Sequence, residues 1–412
     1  GEETSRKQFA ATHPNLLAAL ADLSAKVRED SELADRIRHK FKIKNTTGYQ
    51  LNALVDYEDP FDIINHLLIG SEGTLGFISE IVYDTVVEHS HKASALVIFE
   101  NMHDACSATI ELNKEPVAAV ELMDRASLRS VENKKGMPSY LKSLSQDATA
   151  LLIETSAGSA KVLKDQIKSI EKVLSGYALV RPAAFTAKVK EYTALWNIRK
   201  GLFPAVGAVR QTGTTVIIED VAFPIEHLAE ATLELQQLLE KHRYFEAIIF
   251  GHALEGNLHF VFTQDFASQT EIQRYSGFMD DVCAMVVNQY DGSLKAEHGT
   301  GRNMAPFVEL EWGSKAYELM KELKTIFDPK GLLNPGVILN PNPKIHLENL
   351  KSLPATHEIV DKCIECGFCE NTCPSKNLTL SPRQRITVQR EISRLSRQAA
   401  PADEKTFRKG YA

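Results

Sequence analysis

A chain of 412 residues with 43% hydrophobic content is long enough for two or three domains with proper cores. Its 47 basic and 54 acidic side chains give a formal charge of −7, spread without a basic block or an acidic tail, which argues against nucleic acid or an anionic membrane as partner. No apolar run approaches the roughly 18 residues of a membrane span and no signal peptide opens the chain, so the sequence reads as cytoplasmic, or at most peripheral to an inner membrane.

The chain opens on Gly1 rather than Met, and its last stretch, Phe407 to Ala412, is basic and carries no stop signal. A fragment of a longer protein is the expectation. Residues 1 to about 44 carry helical spacing, with Leu16, Leu17, Leu20 and Leu23 followed by Leu33, Ile37 and Phe41. The next stretch is punctuated by glycine and contains Thr47-Gly48-Tyr49 and the run from Gly70 through Ser71, Gly73 and Thr74 to Gly76.

From about 94 to 262, short apolar runs alternate with amphipathic stretches. Strands are predicted at Ala95 to Phe99, Val117 to Met123, Ala150 to Thr155, Ala178 to Val180, Thr215 to Val221, and Ala247 to Phe262, the last broken by its glycines. Leu163, Ile167, Ile170 and Leu174 share one helical face, as do Leu228, Leu235 and Leu239 after Pro224. The pattern predicts an α+β domain whose helices cover one side of a largely antiparallel sheet. Residues 341 to 362 begin Pro-Asn-Pro and read as a linker, and Arg383 to Leu395 reads as a basic helix.

Cysteine use is uneven. Cys106 and Cys283 stand alone in apolar surroundings, as buried thiols do, whereas Cys363, Cys366, Cys369 and Cys373 crowd together ahead of Pro374. Their C-x2-C-x2-C-x3-C-P spacing is that of bacterial [4Fe–4S] ligation: three thiolates on one tight loop reach three irons, and Gly367 lets the loop curl. A zinc knuckle is the other reading, although zinc pairs usually stand further apart. In two-cluster ferredoxins the fourth cysteine serves the other cluster. Cys373 therefore implies either a second cysteine run elsewhere or a sole cluster held by all four.

A second constellation is Gly251-His252-Ala253-Leu254-Glu255-Gly256-Asn257-Leu258-His259, followed 38 residues later by Glu297-His298-Gly299. Two histidines on a glycine-bent strand with a distant carboxylate suit an open His2Glu metal site, leaving His298 for proton transfer. A structural role for these histidines stays open on spacing alone. The glycines from Gly70 to Gly76 could let backbone N–H groups approach a phosphate or a flavin ring, or simply make a tight turn. Arg199, beside Trp196 at a helix end, could hold a carboxylate bidentately or be solvated.

Taken in order, these motifs resemble the FAD-linked oxidases of the vanillyl-alcohol-oxidase type, which include D-lactate, glycolate and D-2-hydroxyglutarate dehydrogenases. The resemblance covers about residues 45 to 340. It is carried by Thr47-Gly48-Tyr49, Gly70 to Gly76, Val120 to Asp124, Trp196 to Lys200, Glu219-Asp220-Val221, the two histidine motifs, and Asp328-Pro329-Lys330-Gly331-Leu332-Leu333-Asn334-Pro335-Gly336. With the cysteine run behind it, the chain is similar to large bacterial enzymes in which an FAD half and a two-cluster half act together on D-2-hydroxyglutarate.

The resemblance implies an order of parts: the end of an FAD-binding domain at 1–92, an antiparallel substrate or cap domain at 93–340, the linker, and from 363 to 412 the start of a small α-helical ferredoxin-type segment. It also implies roles. Gly70, Ser71, Gly73, Thr74 and Gly76 line FAD, and Asn334 closes that site. His252, His259 and Glu297 bind a divalent metal, with Zn2+ the first choice, that grips the substrate. His298 takes the hydroxyl proton while the hydride passes to the flavin, and Arg199 and Asn257 touch substrate. The implied partners are a small 2-hydroxy acid and a quinone or carrier that accepts electrons, with a homo-oligomer as a further expectation.

Phe203, Ile218 and Val261 stand where D-2-hydroxyglutarate enzymes carry Thr, Lys and Asn, which bears on the distal carboxylate. Nothing before residue 45 resembles the family's pyrophosphate-binding subdomain, so weak FAD binding by this chain alone is implied. Two other classes stay open on the residues: an electron-transfer component without its own substrate site, and a flavin-free hydrolase built on the histidines.

Overall fold

The helical spacing at the start of the chain resolves in the computed structural model into α1 (Glu3–Thr12), α2 (Pro14–Glu29) and α3 (Ser31–Lys40), followed by α4 (Ala53–Asp56) and α5 (Pro60–Leu68). Residues 3–134 and 137–398 are described; the basic end from Phe407 to Ala412, and with it the last part of the expected iron–sulfur segment, lies outside them. The boundaries follow from local chemistry. Pro14 and Pro60 occupy first turns, where a missing N–H costs nothing. Asp30 and Asp59 cap α3 and α5 by accepting the main-chain N–H of Leu33 and Phe61. Leu20, Ile37, Leu54 and Leu67 are buried in one core with Trp312 and Met320 from far down the chain.

Strands β1 (His91–Phe99), β2 (Ala119–Met123), β3 (Thr149–Ala157), β4 (Thr215–Ala222), β5 (Ile248–His252) and β6 (Asn257–Gln264) form one sheet in the order β1-β3-β2-β5-β6-β4. Every neighbouring pair is antiparallel, as expected. The Ala178 to Val180 run contributes only a bridge between Phe99 and Leu179. The last predicted run splits into β5 and β6 at Gly256, whose φ is +61°. A Cβ there would lie 1.9 Å from the Phe223 carbonyl oxygen, so the hairpin turns where only glycine fits.

One expectation is corrected: helices cover both faces of the sheet, not one. On the first face lie α6 (Met102–Leu112), α8 (Ala160–Leu174), α11 (Leu228–Lys241) and α12 (Gln269–Ala284). On the second lie α7 (Arg125–Val131), α9 (Val189–Lys200) and α10 (Leu202–Val209), with Leu128, Ile198 and Leu202 against Met123, Leu152 and Phe250. The reason is in the strands themselves. Leu151, Leu152 and Ile153 are consecutive and all fully buried, so each face needs a cover. Every such side chain contributes roughly 1.5–3 kcal/mol relative to exposure.

After the sheet come α13 (Gly301–Met304) and α14 (Val308–Phe327), the latter supplying Trp312 and Met320 to the N-terminal core. The predicted basic helix is α15 (Pro382–Gln398). Among the described residues no helix is long and apolar enough to cross a membrane.

Candidate active site

Two histidines reach one point from neighbouring strands. His252 ends β5 and His259 lies on β6. Glu297 joins them from the loop before α13: its Oε1 lies 3.3 Å from Nε2 of each histidine. A tetrahedral donor set with roughly 2.0–2.1 Å bonds has edges of about 3.3–3.4 Å, so the separations suit one small ion. His259 is buried, His252 half-buried and Glu297 open to solvent.

The 295–301 loop that carries Glu297 is held from three sides. The Thr46 N–H donates to the Lys295 carbonyl at 2.7 Å and the Gly299 N–H to Thr46 Oγ1 at 3.0 Å. The Gly48 N–H donates to Thr300 Oγ1 at 2.7 Å, which gives the Thr47-Gly48-Tyr49 motif a structural task. From below, the fully buried Asp220 accepts the N–H of Glu297 at 2.6 Å and of His298 at 3.3 Å. Asp220 also pairs with Lys295 Nζ at 3.2 Å, and Glu219 with the same nitrogen at 2.7 Å.

His298 stacks on His259 with ring centres 5.0 Å apart, and its Nδ1 lies 3.4 Å from Asp220 Oδ1. Asp220, His259 and His298 thus make a second close group of donors sharing His259 with the first.

Glu121 and Asp220 were not singled out in the sequence as site residues, yet both organise the site. Glu121 is nearly buried on β2 and directly opposite His252 in the β2–β5 ladder. Its Oε1 meets His252 Nδ1 at 2.6 Å and its Oε2 accepts from Arg199 Nε at 2.7 Å. The usable signal was a lone carboxylate in an otherwise apolar strand, because a buried charge needs partners.

The electrostatics follow from these contacts. Burial pushes the His259 imidazolium down to about 4, which keeps the ring neutral near pH 7 and able to ligate. The Glu121 hydrogen bond holds His252 above its usual value in spite of burial. Burial alone would raise the Glu297 carboxyl, but His252, Lys44 and His259 together keep it low.

Arg199, at the end of α9, comes to this centre through Glu121 and lies 4.2 Å over the Phe250 ring. Asn257, expected to touch substrate, is fully buried beside the site; its Nδ2 donates to the Val221 carbonyl at 3.1 Å, and its Oδ1 has no partner among the described residues. Phe203, Ile218 and Val261 pack into the apolar cluster on the second face of the sheet, together with Phe250 and Ile198.

A family model for the C-terminal domain of FAD linked oxidases matches residues 88–338, more than half of the chain and all six strands. The protein belongs to this family. Its relatives include the glycolate oxidase subunit GlcD of Bacillus subtilis (strain 168), 28% identical over 277 residues, 66% of this chain and 56% of that protein. A D-lactate dehydrogenase of Anaerostipes hadrus is 31% identical over 287 residues, 68% of this chain and 58% of that one. A D-2-hydroxyglutarate dehydrogenase of Haemophilus influenzae is 25% identical over 395 residues, 85% of this chain and 37% of that one. The chain spans about half the length of the first two of these.

For an FAD-linked oxidase the Gly70 to Gly76 loop is the segment to test for fit. Gly70 and Gly73 have φ of +73° and +71°, and a Cβ on Gly73 would meet nothing within 4 Å, so its backbone borders open space. Ser71 and Thr74 turn their hydroxyls inward, to the carbonyls of Leu68 and Ser71 at 2.8 and 2.7 Å. Asn334 donates to the Glu72 carbonyl at 2.7 Å, and the Glu72 carboxylate accepts the Gly301 N–H at 3.0 Å. Glu72, between Ser71 and Gly73, thus ties this loop both to Asn334 and to Gly301 at the end of the loop that carries Glu297 and His298.

Cys363 and Cys373 are half-buried, and Cys366 and Cys369 exposed. The run is seated on the family domain. Ile364 fills the space over Gly207 of α10, and Arg210 donates to the carbonyls of Asp361 and Cys363 at 2.6 and 3.1 Å. Arg390 of α15, nearly buried, donates to the Cys363 carbonyl at 2.7 Å and to Glu365 at 2.8 Å.

Proposed function

We propose that this chain is the catalytic part of an FAD-linked dehydrogenase that oxidises a D-2-hydroxy acid, with D-2-hydroxyglutarate to 2-oxoglutarate as the first choice, and passes the electrons on through [4Fe–4S] clusters. The observation that carries the reading is the convergence of His252, His259 and Glu297 at 3.3 Å, with His298 stacked beside them. The three donors would hold a divalent metal, with Zn2+ the best match for an N2O set.

A bound FAD supplies a two-electron acceptor and a bound metal a grip on the substrate's carboxylate and hydroxyl. The chain's own residues do the rest. His298 is exposed and backed by the Asp220 carboxylate, which suits it to take a hydroxyl proton as general base. Arg199, with its Nε given to Glu121, still presents its terminal amino groups to an anion. Gly70, Ser71, Gly73, Thr74, Gly76 and Asn334 would border the flavin, and Cys363, Cys366, Cys369 and Cys373 would ligate the cluster. Domains end at 92 and 340 in this reading, with 341–362 as linker. The electron acceptor is a quinone or a carrier.

The relatives supply the class of substrate: glycolate, D-lactate and D-2-hydroxyglutarate are all named for them, and the D-2-hydroxyglutarate enzyme aligns over the largest share of this chain of the three described. D-Lactate is the second reading. It is favoured by the apolar packing of Phe203, Ile218 and Val261, which offers no partner to a distal carboxylate. Anaerobic flavin reduction by the full-length protein against D- and L-2-hydroxy acids decides. Reduction by D-2-hydroxyglutarate supports the first choice and reduction by D-lactate alone the second. Reduction by neither, or by L-acids only, overturns the reading.

A further inference from the structure

We infer that Glu121 couples a metal ion at His252, His259 and Glu297 to the anion-binding Arg199, so that what Arg199 holds sets how tightly the ion is bound. This rests on the metal reading of that trio. Glu121 is one carboxylate with both oxygens committed: Oε1 to His252 Nδ1 at 2.6 Å, Oε2 to Arg199 Nε at 2.7 Å. It is 4% exposed, so water does not stand in for either partner.

A carboxylate on the far nitrogen of a ligating histidine fixes the ring and makes it a stronger donor, and losing it usually weakens metal binding about 10–100-fold. Here that carboxylate is shared. Arg199 draws on the same charge from the other oxygen, in a site where weak solvation strengthens both interactions. Its guanidinium is held over Phe250, whose neighbour across the β5–β6 ladder is His259. An anion on the terminal amino groups of Arg199 relieves its pull on Glu121 and leaves more of the carboxylate's charge to His252. By linkage, a metal ion then favours the anion by the same factor. The acidic substrate and the ion thus assist each other through one side chain that touches neither.

Glu121 and its partner Arg199 give variants of opposite sign. In calorimetric titration with Zn2+ at pH 7 of the 412-residue chain whose Cys363, Cys366, Cys369 and Cys373 are all replaced by Ser, so that no thiolate of that run competes for the ion, Glu121→Gln, which keeps the shape and drops the charge, should weaken binding about 10–100-fold. Arg199→Leu, which frees the carboxylate for His252, should tighten it by about fivefold or more. Wild-type binding with no change in Glu121→Gln overturns the inference. So does a loss of affinity in both variants, the mark of a merely structural pair. Should Glu121→Gln fail to fold, the direction of the Arg199→Leu shift decides alone. Absence of Zn2+ binding by the parent chain without those four thiols would sink the metal reading itself, and the inference with it.

Discussion

Asp220 reaches His298 twice, through its main-chain N–H at 3.3 Å and its ring Nδ1 at 3.4 Å. The same fully buried carboxylate takes the N–H of Glu297 at 2.6 Å and neutralises Lys295. Asp220→Asn keeps the volume but removes the charge that all four groups use. We expect it to destabilise the protein by about 1–3 kcal/mol in urea unfolding, and to slow flavin reduction in the full-length enzyme by on the order of tenfold or more. Reduction at the wild-type rate would show that Asp220 supports the fold and not the orientation of His298.

His298→Ala tests the base directly. It removes a solvent-exposed ring, so stability should change by less than about 0.5 kcal/mol. Flavin reduction should slow by about 10²–10⁴-fold, the usual worth of a positioned base, with substrate affinity retained. Stopped-flow reduction separates the two. An affinity loss at an unchanged limiting rate would make His298 a binding residue.

How far the site was legible in the sequence follows from chain separation. His252 and His259 share one hairpin, and the glycines before and between them, Gly251 and Gly256, announce its bend: a Cβ on Gly251 would lie 2.1 Å from the Asn257 carbonyl oxygen. Glu297 belongs to the next motif. Glu121 is 131 residues from His252, and they face each other only because β2 pairs with β5 out of chain order, which periodicity cannot supply. The second layer of helices was missed for a related reason. Consecutive apolar residues such as Leu151 to Ile153 mark a strand buried on both sides, yet do not say which helices cover it. Alternation puts Asn257 on the same side of β6 as His259, but the pattern does not say that its amide N–H goes to the Val221 carbonyl.

Gly207 decides whether the cysteine run stays seated. A Cβ there would lie 2.1 Å from Ile364 Cγ2 and 3.1 Å from its Cβ, too close to the branch point for a rotamer change to relieve. Gly207→Ala gains roughly 0.5–1 kcal/mol of helix propensity but forces an overpacking worth about 1–3 kcal/mol onto one exposed loop. Hydrogen exchange across residues 355–366 should therefore quicken while the melting temperature barely moves. Adding Ile364→Ala should restore protection at Arg210's partners, Asp361 and Cys363. Unchanged exchange in Gly207→Ala would mean that the loop is held by Arg210 and Arg390 alone.

Asp328 and Lys324 tie the two halves of the expected flavin site together, and their linkage depends on pH with a definite sign. Lys324 Nζ donates to the carbonyls of Thr74 and Leu333 at 2.6 and 2.7 Å and pairs with Asp328 at 2.7 Å. Asp328 in turn accepts the N–H of Leu332 and Leu333 at 3.0 and 2.7 Å, which sets the turn that places Asn334 at a φ of +40°. The Lys324 hydrogen bond, helped by those two N–H groups, holds the Asp328 carboxyl down at about 2. Because this is below its value in the unfolded chain, the carboxylate stabilises the fold fully above about pH 4, and that contribution disappears as pH falls toward 2. Asp328→Asn should accordingly lower the melting temperature at pH 6, and the gap to wild type should close as both are taken down to about pH 2. FAD added to the full-length variant should also bind more weakly, since Asn334 loses its support against Glu72. A gap that persists unchanged at pH 2 would assign the effect to lost shape at the turn, and the ionised carboxylate would no longer explain why Asn334 and the Gly70 to Gly76 loop stay together.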